Sequence, residues 1–111
     1  MSVNYEQLLT ILNATPYSVF RDLAPKNTTY PYVVYSFISK DRKVAGGGMY
    51  RRLITYQISL FTTGIEKDLE PIEKIFEKNH LPFTPWMSTQ GDENDDTVTN
   101  FFTQVKVIED E

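Results

Sequence analysis

The spacing of apolar and polar residues predicts two helices and five strands in this chain. Residues 3–13 have the period of a helix, with Ser2 as the expected N-cap. Residues 17–20 predict a short strand. Residues 32–38 are mostly aromatic and β-branched, a composition that predicts a strand packed on both faces.

Residues 53–62 give the clearest alternation of period two in the chain. Their apolar positions predict one buried face of a strand. Their polar positions predict an opposite face that meets either water or a partner subunit. The apolar set is Ile54, Tyr56, Ile58 and Leu60, and the polar set is Thr55, Gln57 and Ser59.

The second half of the chain begins with an amphipathic stretch at residues 68–79, which predicts a helix with Asp68 as its N-cap. A short strand is expected near residues 87–90, and the last strand over residues 97–108. Residues 109–111 are expected to form a frayed tail.

The predicted order is therefore helix, strand, strand, strand, helix, strand, strand, in a single domain over residues 1–111. Strands that follow one another through short loops favour antiparallel pairing, and both helices can then cover the same side of the sheet. We expect an α+β fold with a mostly antiparallel sheet, two helices packed on one face and a long β-hairpin arm.

The arm is expected at about residues 40–52, where a charged stretch leads into three consecutive glycines. Such a sequence indicates a long, mobile hairpin rather than a tight turn. Its basic cluster consists of Arg42, Lys43, Arg51 and Arg52. These side chains fit two interpretations: contact with an acidic partner or nucleic acid, or ordinary solubilising charge on an exposed arm.

Composition narrows the classes of function. The 111 residues include no cysteine, which excludes disulfides, zinc–thiolate sites and thiol catalysis. Eleven basic residues against 15 acidic ones give a net charge of -4, which disfavours binding of phosphate backbones through the overall field. No signal peptide or membrane-spanning run is recognisable. We expect a soluble protein made for a reducing cytoplasm, with no membrane partner.

Several features that suggest chemistry fail on their context. The glycine run leads into a strand rather than a helix, so it does not fit a phosphate-binding loop. The acidic run Asp92–Asp96 lacks the central glycine and distal glutamate of a calcium loop. His80, the only histidine, cannot build a metal site or a triad alone. Trp86 fits a partly buried core position or an interface anchor. The sequence thus predicts no catalytic, cofactor or metal site and no enzyme.

Two aromatic stretches and the elements after them form a distinctive pattern. The first is Tyr30–Ser36 (YPYVVYS) and the second is Tyr56–Thr63 (YQISLFTT), which leads into the charged helix Glu66–Lys78 and a late strand with Phe101 and Phe102. Over roughly residues 28–108, the chain resembles the tail-terminator, or tail-completion, proteins of long-tailed bacteriophages, part of the head–tail joining machinery. Length, element order and the position of the arm also fit, although the arm here is richer in glycine.

The resemblance implies a virion structural protein, made in the bacterial host cytoplasm and placed at the head–tail interface. It implies a closed ring of identical subunits, commonly a hexamer, on the last layer of the tail tube protein. Such a ring stops tube polymerisation and docks to the head connector or stopper protein. DNA would pass through its lumen without specific binding, and an acidic chain suits that passage.

A ring needs two different contact patches on each subunit. We expect them to come from the arm and from the polar face of the third strand: Arg42, Lys43, Tyr50, Arg51, Arg52, Thr55, Gln57 and Ser59. Two alternatives remain open. The chain could be another connector or stopper component, or a small non-enzymatic adaptor domain that binds a host peptide along an exposed strand edge.

Overall fold

The computed structural model describes residues 3–44, 50–91 and 97–110, with the backbone alone at residues 43, 44, 50, 51 and 110. The elements are α1 (Tyr5–Asn13), β1 (Ser18–Arg21), β2 (Tyr32–Val44), β3 (Tyr50–Thr62), a short 3₁₀ helix (Glu66–Leu69), α2 (Glu70–Lys78), β4 (Met87–Gln90) and β5 (Thr99–Asp110). The glycine run and the acidic run 92–96 lie outside the described residues. The predicted α+β class and element order are confirmed.

The five strands form one sheet in the order β1-β2-β3-β5-β4. The pairs β2–β3, β3–β5 and β4–β5 are antiparallel, which confirms the mostly antiparallel sheet. β1 is the exception, because it runs parallel to β2, with Ser18 opposite Tyr32 and Arg21 opposite Tyr35. The expected antiparallel pairing is wrong at this point, because residues 22–31 return the chain to the end of the sheet where β1 began.

A single hydrophobic core lies between the sheet and the two helices. The helices contribute the fully buried side chains Leu8, Leu12, Ile72 and Phe76. The sheet contributes the predicted apolar set of β3 together with Val33, Tyr35, Val105 and Val107. Because these residues belong to one cluster, α1 and α2 lie on the same face of the sheet, which confirms the predicted layering.

The helix starts differ from the prediction. The Asn4 side chain accepts a hydrogen bond from the Gln7 N–H at 2.8 Å, and the Gln7 side chain accepts one from the Asn4 N–H at 2.9 Å. This capping box starts α1 in place of Ser2, which lies outside the described residues. Asp68 does not cap α2 either, because its carboxylate accepts a hydrogen bond from the Thr62 hydroxyl at 2.7 Å.

β2 and β3 continue beyond the body of the protein as the arm, and the molecule measures 52 × 27 × 22 Å. A bulge at Ile38 marks the base of the arm. There Phe37 and Ile38 are 49% and 45% exposed. The prediction that this strand is packed on both faces is wrong here, because both helices cover one face and neither residue belongs to the core cluster.

The C-terminal strand begins and ends two residues later than predicted, at Thr99–Asp110. Glu109 and Asp110 belong to β5, where they lie opposite Arg52 and Arg51 of β3. The expected frayed tail is therefore part of the sheet as far as Asp110, and Glu111 lies outside the described residues. Attraction between acidic and basic residues on neighbouring strands gives a physical reason for the extra pairing.

Candidate subunit interface

The side of the sheet turned away from α1 and α2, here called the open face, contains the polar set predicted from the alternation in β3. Thr55, Gln57 and Ser59 have the opposite parity to the four core residues of that strand, so they share this face. Among the described elements, neither helix packs on it. The prediction that β3 has one buried and one polar face is confirmed.

The predicted polar set nevertheless offers little contact area. Thr55 and Ser59 are only 8% and 6% exposed, although no helix covers them. The short Ser59 side chain lies between Val34 and Phe102 on the neighbouring strands, and these larger residues shield it from solvent. Gln57 is half-buried. A partner that binds the open face would therefore contact the larger side chains of the adjacent strands rather than Thr55 or Ser59.

Four aromatic side chains form a row across one end of the sheet, here called the aromatic row: Phe20, Tyr30, Tyr32 and Phe61. Tyr32 lies at its centre. Its ring stacks on Phe61 and Tyr30 with centroids 5.2 and 5.4 Å apart, and Phe20 meets it edge-on at 6.0 Å. All four side chains are half-buried. The row thus keeps part of its aromatic surface accessible.

Sequence reasoning missed the aromatic row because it depends on strand order. The parity of Phe61 places it on the same face as Ser59, and that signal was present in the alternation of β3. Tyr32 joins it because the β2–β3 register places Tyr32 opposite Phe61. Phe20 joins it only because β1 pairs in parallel with β2, with Phe20 opposite Val34. That pairing cannot be read from the spacing of apolar residues.

The predicted basic cluster lies on the two strands of the arm. Arg42 is directly opposite Arg52, and Lys43 is opposite Arg51. Tyr50 is the first residue of β3. For Lys43, Tyr50 and Arg51 the structure fixes the position in the strand and not the side chain. The hairpin therefore places the four basic residues in two adjacent cross-strand pairs.

An acidic residue of β5 offsets part of this positive charge. The Glu109 carboxylate accepts hydrogen bonds from Lys40 Nζ at 2.9 Å and from Arg52 Nη1 at 3.3 Å. The hydrogen bond from Lys40, followed by that from Arg52, holds the pKa of Glu109 below its ordinary value. This network corrects the picture of the arm as a purely basic surface, because Arg52 pairs with an acid of its own chain.

A second cationic group lies on the same face of the sheet, beside α1. Arg21 donates a hydrogen bond to the Tyr5 hydroxyl at 2.9 Å, and that hydroxyl shares a hydrogen bond with Tyr35 at 3.0 Å. The Arg21 guanidinium also lies 5.8 Å from the centroids of both rings. Burial, followed by the bond to Tyr5, raises the pKa of Tyr35. These contacts tie the start of α1 to β1 and β2.

The residues considered for chemistry lie apart from one another. Within the described ranges, no group of three or more His, Asp or Glu side chains could hold a metal ion. His80 is exposed just after α2, with a φ of 53°, a left-handed conformation common beyond helix ends. Trp86 is half-buried and packs against the core beside Phe83, at a centroid distance of 6.1 Å.

None of the helices in the described part of the chain is long and apolar enough to cross a membrane. Comparison with protein-family models found no match. Comparison with curated protein sequences found no match either. The surfaces of the molecule, chiefly the open face and the arm, therefore carry the information about its function.

Proposed function

We propose that this protein is a virion structural protein of the tail-terminator type. Its subunits form a ring that caps the tail tube of a long-tailed phage and docks to the head connector. The observation that carries the proposal is the open face with its aromatic row. Aromatic groups at the surface of a soluble domain are typical of sites of association. The resemblance of residues 28–108 to tail terminators suggests which assembly this is, namely a ring on the tail tube.

Two unlike surfaces on one subunit support a ring rather than a twofold dimer. A head-to-tail contact joins one patch to a different patch, and a fixed rotation then closes the ring. The open face provides one patch, and the arm, which gives the molecule its 52 Å length, can reach a neighbour. In this proposal the interface consists of the aromatic row, Gln57 and the arm residues Arg42, Lys43, Tyr50, Arg51 and Arg52, while the buried Thr55 and Ser59 contribute little.

The charge of the chain supports passage of DNA through such a ring. A net charge of -4 produces no general attraction for phosphates, so DNA can move past without being held. The partners in this proposal are further copies of the chain, the tail tube protein and the head connector or stopper protein. No cofactor or catalytic group is needed for this role.

Deletion of the gene from its phage tests the proposed function. We expect tails that are overlong or that lack heads, because nothing would stop tube growth or complete the joint. A wild-type copy supplied in trans should restore normal particles. Tails of normal length with heads attached, in the deletion strain, would contradict the proposal. If the subunit instead lies on the head side of the joint in wild-type particles, it is a connector or stopper component.

A specific observation also favours the adaptor alternative. The outer edge of β2 beyond Tyr35 pairs with no other described strand, so an extended peptide could add to it. That function predicts a monomer at all concentrations, with a host peptide bound as an extra strand. Chemical-shift changes confined to β2 on titration of such a peptide would support it.

A further inference from the structure

The sheet has two free edges, and they are unlike. On one side, the short β1 is the outermost strand and pairs with β2 only from Tyr32 to Tyr35, and the Asp22 N–H donates a further bond to the Tyr35 carbonyl at 2.9 Å. From residue 36 to residue 44, no described strand pairs with the outer edge of β2. On the other side, β4 ends the sheet. Free edges of this kind expose unpaired N–H and C=O groups.

The β4 edge is short, but it lacks the charges, proline and bulges that hinder strand pairing. Natural edge strands carry charged residues, proline or bulges that prevent pairing with other chains. β4 has the sequence MSTQ, without a charge or a proline, and all four residues are exposed. The first four residues of the free β2 edge, Ser36–Ser39, are also uncharged. Neither segment would have to bury a charge on pairing, and the bulge at Ile38 lies within the β2 segment.

Exposed apolar side chains concentrate at these two edges. In the described chain the large exposed hydrophobic residues are Leu23, Phe37, Ile38, Ile65 and Met87. Phe37 and Ile38 lie at the bulge of β2, and Met87, 63% exposed, begins β4. Apolar groups beside unpaired backbone at both ends of one sheet indicate that each edge is covered by a partner.

We infer that the outer edge of β4 in one subunit pairs with the Ser36–Ser39 edge of β2 in the next copy of this chain. The inference rests on the proposed ring and names the contact that builds it. Because the two edges differ, the contact is head-to-tail, and repetition about an axis closes a ring in which the sheets of neighbouring subunits are continuous. Met87 would then lie near the bulge at Ile38 of the neighbour.

The distribution of charge favours a second copy as the occupant. Residues 40–52 contain five basic residues and one acidic residue, a charge of +4, whereas the whole chain carries -4, so the remainder carries -8. Part of the positive charge is offset by Glu109 in the same subunit. The surplus of acid elsewhere means that a neighbouring copy brings the opposite charge to the arm.

Charge substitutions at the two edges test the inference. Ile38→Lys and Met87→Lys place a cation where backbone and apolar groups would be buried, so we expect association about tenfold weaker or worse. Ile65→Lys is the matched control, because Ile65 is 64% exposed, close to the 63% of Met87, and belongs to no strand. Association is measured by light scattering after gel filtration and by electron microscopy. Circular dichroism verifies that each variant is folded.

Cross-linking tests which edge meets which, since the chain has no cysteine of its own. Ser39 and Thr89 are exposed and lie on the same face of the sheet, opposite Thr55 and Asn100. With a short bismaleimide, a mixture of Ser39→Cys and Thr89→Cys should give cross-linked pairs, and the double variant a ladder of covalent oligomers. Pairing Ser39→Cys with Glu77→Cys, on the exposed side of α2, should give none.

The outcomes separate the contact from the function. Rings that persist in both lysine variants, without cross-links between positions 39 and 89, would overturn the edge contact and leave the proposed ring intact. Cross-linking of either single-cysteine variant with itself would indicate like edges meeting, and would also overturn it. A wild-type protein that stays monomeric, alone and with tail tubes, would overturn the ring and the contact together.

Discussion

At the scale of single residues, Glu109 is the side chain that joins the arm to the last strand. Its carboxylate accepts hydrogen bonds from Lys40 on β2 and Arg52 on β3, so one acid links three strands. These bonds favour the ionised form and hold the pKa of Glu109 below the ordinary value of a glutamate. A group of this kind stabilises the fold only while it is ionised.

We expect Glu109→Gln to lower the melting temperature at neutral pH, because an amide cannot form charge-assisted bonds with both cations. The folded pKa lies below the unfolded one, so the stabilisation is complete above about pH 4.3 and is lost as the pH falls through the folded pKa. Wild type and variant should therefore converge in acid. Thermal unfolding by circular dichroism measures this, with the exposed Glu77→Gln as control. Equal melting temperatures at neutral pH would contradict the linkage.

At the scale of elements, the same residue type has opposite surroundings in α2 and at the bulge of β2. Phe76 is fully buried in the core, whereas Phe37 is 49% exposed, with its ring edge-on to that of Tyr56 at 6.4 Å. Phe76 therefore holds the helix on the sheet. Phe37 contributes little to the isolated subunit and, in our account, contacts a neighbour.

Phe76→Ala should lower the free energy of unfolding by about 3–5 kcal/mol, because it removes a buried ring and leaves a cavity. Phe37→Ala should lower it by about 1 kcal/mol or less, because the ring is already half in solvent. Urea denaturation of the unassembled subunit measures both. Similar losses for the two variants would mean that the base of the arm is packed within the monomer. Of the two variants, only Phe37→Ala is expected to weaken assembly.

The capping box at the start of α1 provides a test of local structure. Asn4→Ala should lower the free energy of unfolding by about 1 kcal/mol, because the Gln7 N–H loses its hydrogen-bond acceptor. Asn4→Ser should recover most of the loss, since serine is also a good N-cap. Denaturant unfolding at neutral pH measures both variants. If Asn4→Ala leaves the free energy of unfolding unchanged, the helix start is held by other contacts.

Local periodicity was sufficient to predict the elements, and long-range pairing was not. Ile54, Tyr56 and Ile58 alternate so regularly that β3 and its buried face follow from sequence alone. The use of Asn4 rather than Ser2 as the cap depends on where α1 meets the sheet. The hydrogen bond from the Thr62 hydroxyl to the Asp68 carboxylate depends on the turn between β3 and α2.

The candidate site was predictable to the same extent. Alternation placed Thr55 and Ser59 on the open face, but the burial of Ser59 depends on Val34 and Phe102, which belong to other strands. Similarly, the acidic end of the chain has no local signal for strand formation. Its pairing with the arm follows from the register of β5 against β3, which places Glu109 opposite Arg52.

At the scale of the whole molecule, the helices complete one side of the sheet and leave the other side and both edges uncovered by described elements. A small domain with this layering buries its core on one face only. Together with the aromatic row and the arm, the arrangement fits a subunit that completes its packing through copies of itself. The proposed ring and the edge contact both depend on that property.

Electron microscopy of the purified protein, alone and mixed with phage tail tubes, measures self-association most directly. Our account predicts closed rings of one size, free in solution or seated on tube ends, with rotational symmetry in the averaged images. Particles of single subunits in both samples, with tube ends left bare at concentrations well above those in an infected cell, would contradict it.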